Sequence, residues 1–416
     1  MNIPLIFRLI IVLSNCIAVS LSTTLDIQQS DKFNRYLEAV HHIEISWAKV
    51  NNISDDNKAI TSGWSFDFKD SSRFWVQYIF LPILVLIGMI GNGLTINILT
   101  RKVMRSSTNV YLTALAISDL LYLLFSFSMS WRHFQIFRTI SFYWRYSPFG
   151  LWLTDACSST SVWLTVSFTI ERYIAICHPL KRRIYCTEKR AFFISISVCV
   201  ACFALTATTP FEWIPAVNTE HLEKFNETSY FLESTEFGKS EMYRLLYHWF
   251  TTIFFVVLPL ITLGILNVFL ITAVRTSTIE RMRMANETTA TVPTFQIKNS
   301  TDTRKFALRL YIRTDAILKK LQSFQASRND NKVTMTLISV VVLFLICQMP
   351  TALVLIYTSI HVPELDSMEE NILLGLGNIF NLLVAINAAS NFILYTALSD
   401  RYRNRFFGIF YCRWAE

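Results

Sequence analysis

Leu115-Ala116-Ile117-Ser118-Asp119-Leu120-Leu121 sets one carboxylate in the middle of an apolar run, Val110–Met129, and that placement decides how the chain must fold. A bilayer core ~30 Å thick takes roughly 20 mostly apolar helical residues to cross, because backbone groups left unpaired in lipid are costly. Val110–Met129 meets that length. So do Phe74–Leu99, Phe149–Ile176, Ala191–Pro210, Tyr247–Val274, Val333–Tyr357 and Ile372–Leu398. The expectation is an all-α membrane protein, a seven-transmembrane helix bundle with a short amphipathic C-terminal helix.

Composition agrees with that reading. The chain of 416 residues is 52% hydrophobic and 16% charged, well outside the range of a soluble domain. A net charge of +8 raises nucleic acid as a partner, but the basic residues lie between the apolar blocks and form no soluble basic face. No nucleic acid is expected, and the bilayer is the partner instead. Arg101, Lys102 and Arg105 follow the first block, Lys181, Arg182, Arg183, Lys189 and Arg190 the third, and a basic stretch over 275–332 the fifth. Such links face the cytoplasm. The alternate links are acidic, with Glu212, Glu220, Glu223, Glu227 and Glu233 after the fourth block and Glu364, Asp366, Glu369 and Glu370 after the sixth. Only the link with Arg132, Arg138 and Arg145 breaks the pattern. A multi-pass plasma-membrane protein with its N-terminus outside is expected.

The domain order follows. Residues 1–22, with Arg8 ahead of a short apolar core and small residues at Ala18, Ser20 and Ser22, read as a signal peptide, an uncleaved anchor being the other reading. Residues 23–73 form an extracellular tail, 74–400 the seven-span domain with a long cytoplasmic link at about 275–332, and 401–416 an amphipathic helix and short tail. Asn52 and Asn226 head glycosylation acceptor sequences on the outer side. Arg401, Arg403, Arg405 and Arg413 interleave with aromatic residues, which suits a helix on the anionic inner leaflet. Cys412 there is a palmitoylation candidate or a plain buried thiol. The other cysteines lie in the signal segment, in the spans or beside a cytoplasmic link, so no disulfide is expected outside.

Charged groups at bilayer depth are expensive and need partners inside the bundle. Asn92, Ser161, Asn387 and Asn391 fall at depths comparable with Asp119. One carboxylate with hydroxyl and amide oxygens suits a hard cation or a chain of waters. A purely structural hydrogen-bond network is the equal alternative. At the cytoplasmic end of the third span, Glu171-Arg172-Tyr173 gives the Arg172 guanidinium two prospective carboxylates, adjacent Glu171 and remote Asp330. A remote pair between helices would be a breakable clasp, whereas a plain positive-inside anchor is the simpler reading. Pro210, Pro259 and Pro350 are expected inside spans, where each removes a backbone bond and bends the helix.

Taken in order, Gly91-Asn92, Asn109-Val110-Tyr111-Leu112, Leu115-Ala116-Ile117-Ser118-Asp119, Glu171-Arg172-Tyr173, Ile176-Cys177-His178-Pro179-Leu180, Pro259, Phe344 with Cys347-Gln348-Met349-Pro350, and Asn391-Phe392-Ile393-Leu394-Tyr395 resemble the rhodopsin-like (class A) G-protein-coupled receptors. The resemblance implies a receptor, not an enzyme, in which an extracellular ligand opens the inner end of the sixth span to a heterotrimeric G protein. It implies that Arg172 is the latch, with Glu171, Tyr173, Leu180, Asp330 and Tyr395 in the G-protein switch. Asp119, Ser161, Asn387 and Asn391 would form a sodium pocket, and no other cofactor is implied. Val162, Pro259, Phe344, Gln348 and Pro350 would form the packing switch, with Asp155, Gln348, Thr351 and Asn381 lining the ligand pocket. Ser147 stands where the family places a disulfide cysteine, Gln348 where it has tryptophan, and Phe392 where it has proline. The last two variants look like invertebrate FMRFamide-type neuropeptide receptors.

An amidated neuropeptide is therefore the expected ligand. The amine-binding aspartate of related receptors would fall at Thr154, and Asp155, one residue on, points about 100° away. The acidic outer links would attract a cationic peptide, or are simply solvated. A receptor-shaped binder that does not couple is the nearest rival. A transporter should show inverted repeats, and an enzyme should show a metal or nucleophile set; neither pattern is visible.

Overall fold

A computed structural model describes residues 56–217, 228–290, 338–339, 341–358, 363, 367–398 and 400–411. Six helices among the described residues are long and apolar enough to cross a membrane: Gly63–Leu99, Ser107–His133, Glu188–Glu212, Glu241–Ala273, Val341–Thr358 and Met368–Ile393. A further helix, Ser141–Cys177, is 37 residues long. Its middle carries Asp155 and the hydroxyls of Ser158 to Ser161, which makes it less apolar than the others. That composition suits its position, since it packs against the second, fourth and fifth helices and meets little lipid. Thr160, Ser161, Thr165 and Thr169 are all buried. The hydroxyls of Thr160, Thr165 and Thr169 donate to carbonyls four residues back at 2.6 to 2.8 Å, so they need no partner outside the helix.

Several boundaries differ from the sequence expectation. The first helix does not start at residue 74: an α-helix over Asp56–Arg73 runs through a π-helical segment, Phe74–Phe80, into Leu81–Leu99. Part of the expected tail is thus a helical extension. It packs on the seventh helix, where Phe68 sits so close to Gly375 that a Cβ there would lie 2.4 Å from the ring. Pro210 lies inside the fourth span, Glu188–Glu212, but beyond the end of its main α-helix, Glu188–Leu205. It occupies the first turn of a short helix, Thr209–Glu212, where its missing N–H costs nothing. Pro148 lies inside the third helix, which begins eight residues before the expected Phe149. Pro259 follows a π-helical segment, Ile253–Val257, at the head of Leu258–Ala290. After the fourth span, Trp213–Val217 and Tyr230–Ser234 pair as an antiparallel hairpin.

Two buried clusters hold the bundle. One joins Leu112, Leu115, Val162, Val166, Leu263, Phe344 and Tyr395 through its centre. The other joins Val85, Leu123, Cys157, Ala385 and Ala389 of the first, second, third and seventh helices. Lipid-side residues such as Leu86, Ile90, Phe193 and Val200 stay exposed, as membrane helices require.

The six described cysteines are free. Ser147 is buried, and its hydroxyl donates to the Tyr143 carbonyl at 2.9 Å within its own helix. The link between the second and third helices is held by aromatic residues instead. Trp144 Nε1 donates to the Phe137 carbonyl at 3.0 Å, and Tyr143 Oη to the Ser128 carbonyl at 2.9 Å. Phe137 stacks on Trp131 with ring centroids 4.9 Å apart. Tyr78 of the first helix packs on Phe134 and donates to the His133 carbonyl. These contacts fix one end of the first three helices.

Candidate functional site

Asp119 is 2% exposed, and both its oxygens accept: Oδ1 from Ser161 Oγ at 2.6 Å and Oδ2 from Asn391 Nδ2 at 2.6 Å. The second, third and seventh helices therefore meet at one carboxylate. Two short bonds from neutral donors leave the charge incompletely compensated at a depth where ionised groups cost at least ~2.5 kcal/mol. The amide oxygens of Asn391, Asn387 and Asn92 are buried and have no hydrogen-bond partner among the described residues. Asn92 spends its Nδ2 on the Ala388 carbonyl at 3.0 Å, tying the first helix to the seventh. The donor set is carboxylate, hydroxyl and amide oxygen, which is the chemistry a hard monovalent cation takes.

Near the C-terminal end of the third helix, Glu171 is the hub of a second polar cluster. Its Oε1 receives Arg172 Nη2 at 2.7 Å, Ser107 Oγ at 2.8 Å and Thr108 Oγ1 at 3.3 Å. Arg172 also donates to the Thr108 hydroxyl. Arg172 is thus held by the adjacent carboxylate and by the first turn of the second helix. Asp330 lies outside the described residues. Ser107 and Thr108 carry only a weak sequence signal, two hydroxyls opening a span at the face where Glu171 closes one. Tyr173 packs edge-on to His178 and against Phe269 of the fifth helix. Leu180 stands out on the short helix Pro179–Tyr185 at 91% exposed. Cys186, after that helix, lies 3.8 Å from the Glu171 carbonyl, and burial with the nearby Glu171 charge pushes its thiol up from the usual range. Tyr395 is buried with its ring 5.9 Å from that of Tyr402. Tyr402, in the C-terminal helix Asp400–Tyr411, shares a 2.9 Å hydrogen bond with the Thr95 hydroxyl of the first helix. The sequence showed Tyr402 only as one aromatic residue among several. Cys412, Asn52 and Asn226 lie outside the described residues.

Above Asp119, toward the end of the bundle that carries residue 56, a cavity of about 630 Å³ opens between the helices. Asp155, Gln348, Thr351 and Asn381 all line it. Val162, Pro259 and Phe344 line it too and belong to its inner wall, while Pro350, two residues after Gln348 in the sixth helix, does not line it. Glu212, Trp213, Arg132 and Tyr247 also line it; Glu212 and Arg132 are legible in sequence only as link charges. Helices contributed by most of the bundle therefore converge on one space large enough for several side chains of a ligand.

These elements match a known family model. Residues 91–395 fit the model described as 7 transmembrane receptor (rhodopsin family). The chain belongs to that family. The receptor is 27% identical over 349 residues to the FMRFamide receptor of Drosophila melanogaster, covering 82% of this chain and 55% of that protein. It is 28% identical over 345 residues to the sex peptide receptor of the same fly, covering 79% and 71%. A neuromedin U receptor homolog of Caenorhabditis elegans is 25% identical over 346 residues, covering 77% and 75%. The receptor thus spans about half the length of the first of these relatives and most of the other two. It is a multi-pass membrane protein and, like its family, no enzyme. Its Phe392 packs in the space left by Gly91.

Proposed function

We propose that the receptor sits in the plasma membrane with its N-terminus outside, binds an extracellular amidated neuropeptide in the cavity between its outer helix halves, and activates heterotrimeric G proteins. The observation that carries this reading is the shared wall: ligand-side Asp155, Gln348 and Thr351 and core residues Val162, Pro259 and Phe344 border one cavity. A ligand that binds one packing of these side chains better than another shifts the population between them. The relatives named for FMRFamide, sex peptide and neuromedin U support a peptide as the ligand class.

In this reading Arg172 leaves Glu171 and Thr108 when the inner end of the sixth helix moves, and turns to the G protein with Tyr395 as a further partner. Leu180 supplies an exposed loop contact. Asp119, Ser161, Asn387 and Asn391 would hold a sodium ion that favours the inactive packing, its positive charge offsetting the buried carboxylate. Asn52 and Asn226 carry glycans, Cys412 a palmitoyl chain, and residues 1–22 are removed as a signal peptide. The test is nucleotide exchange in membranes expressing the chain, challenged with a panel of amidated peptides. Peptide-dependent exchange that disappears in Arg172→Ala supports coupling, whereas binding without exchange assigns the chain to non-coupling receptors.

A further inference from the structure

The link between the second and third helices carries no acid, unlike the other two links at its end of the bundle. No Asp or Glu occurs between Asp119 and Asp155, while Arg132, Arg138 and Arg145 all fall there. Arg138 and Arg145 are exposed, and neither forms an ion pair among the described residues. Large apolar side chains stand out beside them: Ile136 is 75% exposed and Phe142 81%. Along the head of the third helix the exposure forms a stripe. Phe142, Arg145 and Phe149 are exposed, whereas Tyr143, Trp144, Ser147, Pro148 and Gly150 are buried. Steps of three and four residues put the exposed set on one helix face. None of Ile136, Arg138, Phe142, Arg145 and Phe149 lines the cavity, so this surface is separate from the ligand side.

The first helix fixes the depth of the link. Phe134 packs on Tyr78 with ring centroids 4.5 Å apart, and the Tyr78 hydroxyl donates to the His133 carbonyl. Tyr78 lies just inside the apolar block that begins at Phe74, past the charged Asp67, Lys69, Asp70 and Arg73. The link is therefore level with the edge of the hydrocarbon, where exposed Phe74 and Trp75 lie as well. Apolar side chains held in water at that depth are unfavourable, and acyl chains relieve them. A guanidinium beside them meets phosphate oxygens, which accept two parallel N–H bonds. A soluble polyanion would match the arginines but leave Ile136 and Phe142 in water. We propose that this link is seated on the bilayer: Ile136, Phe142 and Phe149 enter among the acyl chains of the adjacent leaflet, while Arg138 and Arg145 bind the headgroup phosphates of phospholipids there. In the orientation proposed above that leaflet is the outer one, but the seating requires neither that orientation nor a peptide in the cavity. On its other side the link sets Arg132 in the cavity wall, and the stacked rings of Trp131 and Phe137 join the two sides.

The test places the photoreactive p-benzoylphenylalanine at Phe142, at Ile136 or, for reference, at Leu86, an exposed lipid-side residue of the first helix. Full-length receptor is held in nanodiscs of equal parts phosphatidylcholine and digalactosyldiacylglycerol, a bilayer lipid without phosphate, and adducts are counted by mass spectrometry after illumination. Phe142 and Ile136 are expected to capture lipid, with phosphatidylcholine favoured over the galactolipid roughly fivefold more than at Leu86. Arg138→Gln combined with Arg145→Gln brings that ratio down to the Leu86 value, and each single substitution lowers it should the pair fold poorly. Inorganic phosphate added to the buffer leaves it unchanged. Capture of no lipid at Phe142 and Ile136, a ratio equal to that at Leu86, a ratio that survives loss of the arginines, competition by inorganic phosphate, or adducts with protein in place of lipid each overturns the proposal. Failure of the peptide-receptor reading shows in nucleotide exchange and leaves these ratios as they are.

Discussion

The ring of Phe392 fills the place where a side chain on Gly91 would be: a Cβ built at residue 91 lies 2.0 Å from Phe392 Cδ1. The two positions are in the first and seventh helices, which Asn92 also ties together through the Ala388 carbonyl. A glycine in one helix and an aromatic ring in the other make this one close-packed contact. Phe392, unlike a proline, keeps its backbone N–H, and the seventh helix, Met368–Leu398, runs through it unbroken.

Gly91→Ala is therefore expected to destabilise the receptor by about 1–3 kcal/mol, the usual cost of overpacking. Phe392→Leu in the same chain recovers most of the loss. Thermal unfolding of the two single variants and the double variant checks the coupling. Additive losses would show that the ring and the glycine do not share the space.

Sodium is expected to raise the unfolding midpoint relative to equal potassium, because Asp119 with three nearby amide or hydroxyl side chains makes an oxygen-rich site. Asp119→Asn removes that salt specificity without unfolding the bundle, since an amide still accepts from Ser161. A sodium effect that persists in Asp119→Asn would place the ion elsewhere.

Glu171→Gln weakens the contact that holds Arg172 beside the second helix, replacing a charge-assisted bond with a neutral one. Basal nucleotide exchange is expected to rise several-fold, and Thr108→Ala to push it the same way by less. Arg172→Ala abolishes ligand-dependent exchange. Unchanged basal exchange in both Glu171→Gln and Thr108→Ala would mean the cluster is an anchor and not a latch.

Thr95→Val and Tyr402→Phe each remove one side of a buried hydroxyl pair. Each single change removes the tether, Thr95 keeping its bond to the Gly91 carbonyl in Tyr402→Phe, and costs about 0.5–1.5 kcal/mol, whereas the double change is expected to cost less than the sum. A double-mutant cycle on thermal midpoints measures the difference, and a zero coupling energy would contradict the tether.

Reducing agent should leave the unfolding midpoint unchanged, because the described cysteines are free. Trp144→Phe, by contrast, gives up the bond to the Phe137 carbonyl and is expected to cost about 0.5–1.5 kcal/mol. A drop in midpoint on reduction would reveal a disulfide that the aromatic contacts were thought to replace.

Much of this architecture was legible in one dimension. Apolar blocks of bilayer length and alternating link charge gave the number of crossings, because lipid forces every crossing to be a continuous helix. Asp119 announced itself by being a carboxylate in such a block. Asp155, Gln348, Thr351 and Asn381 were placed through the family resemblance, and they do border one cavity. Helix ends were less legible: Asp56–Arg73 is polar, and nothing in its composition marks it as helix until the seventh helix is there to pack on.

The sequence alone thus determined a seven-helix membrane bundle with an acid inside it, since burial in lipid is a property each segment either has or lacks by itself. The tertiary structure decided which side chains meet. Ser107 and Thr108 join Glu171, Tyr402 joins Thr95, and Phe392 fills the space over Gly91. Each is a contact between helices far apart in the chain, set by how the helices rotate and pack. No local pattern encodes that rotation.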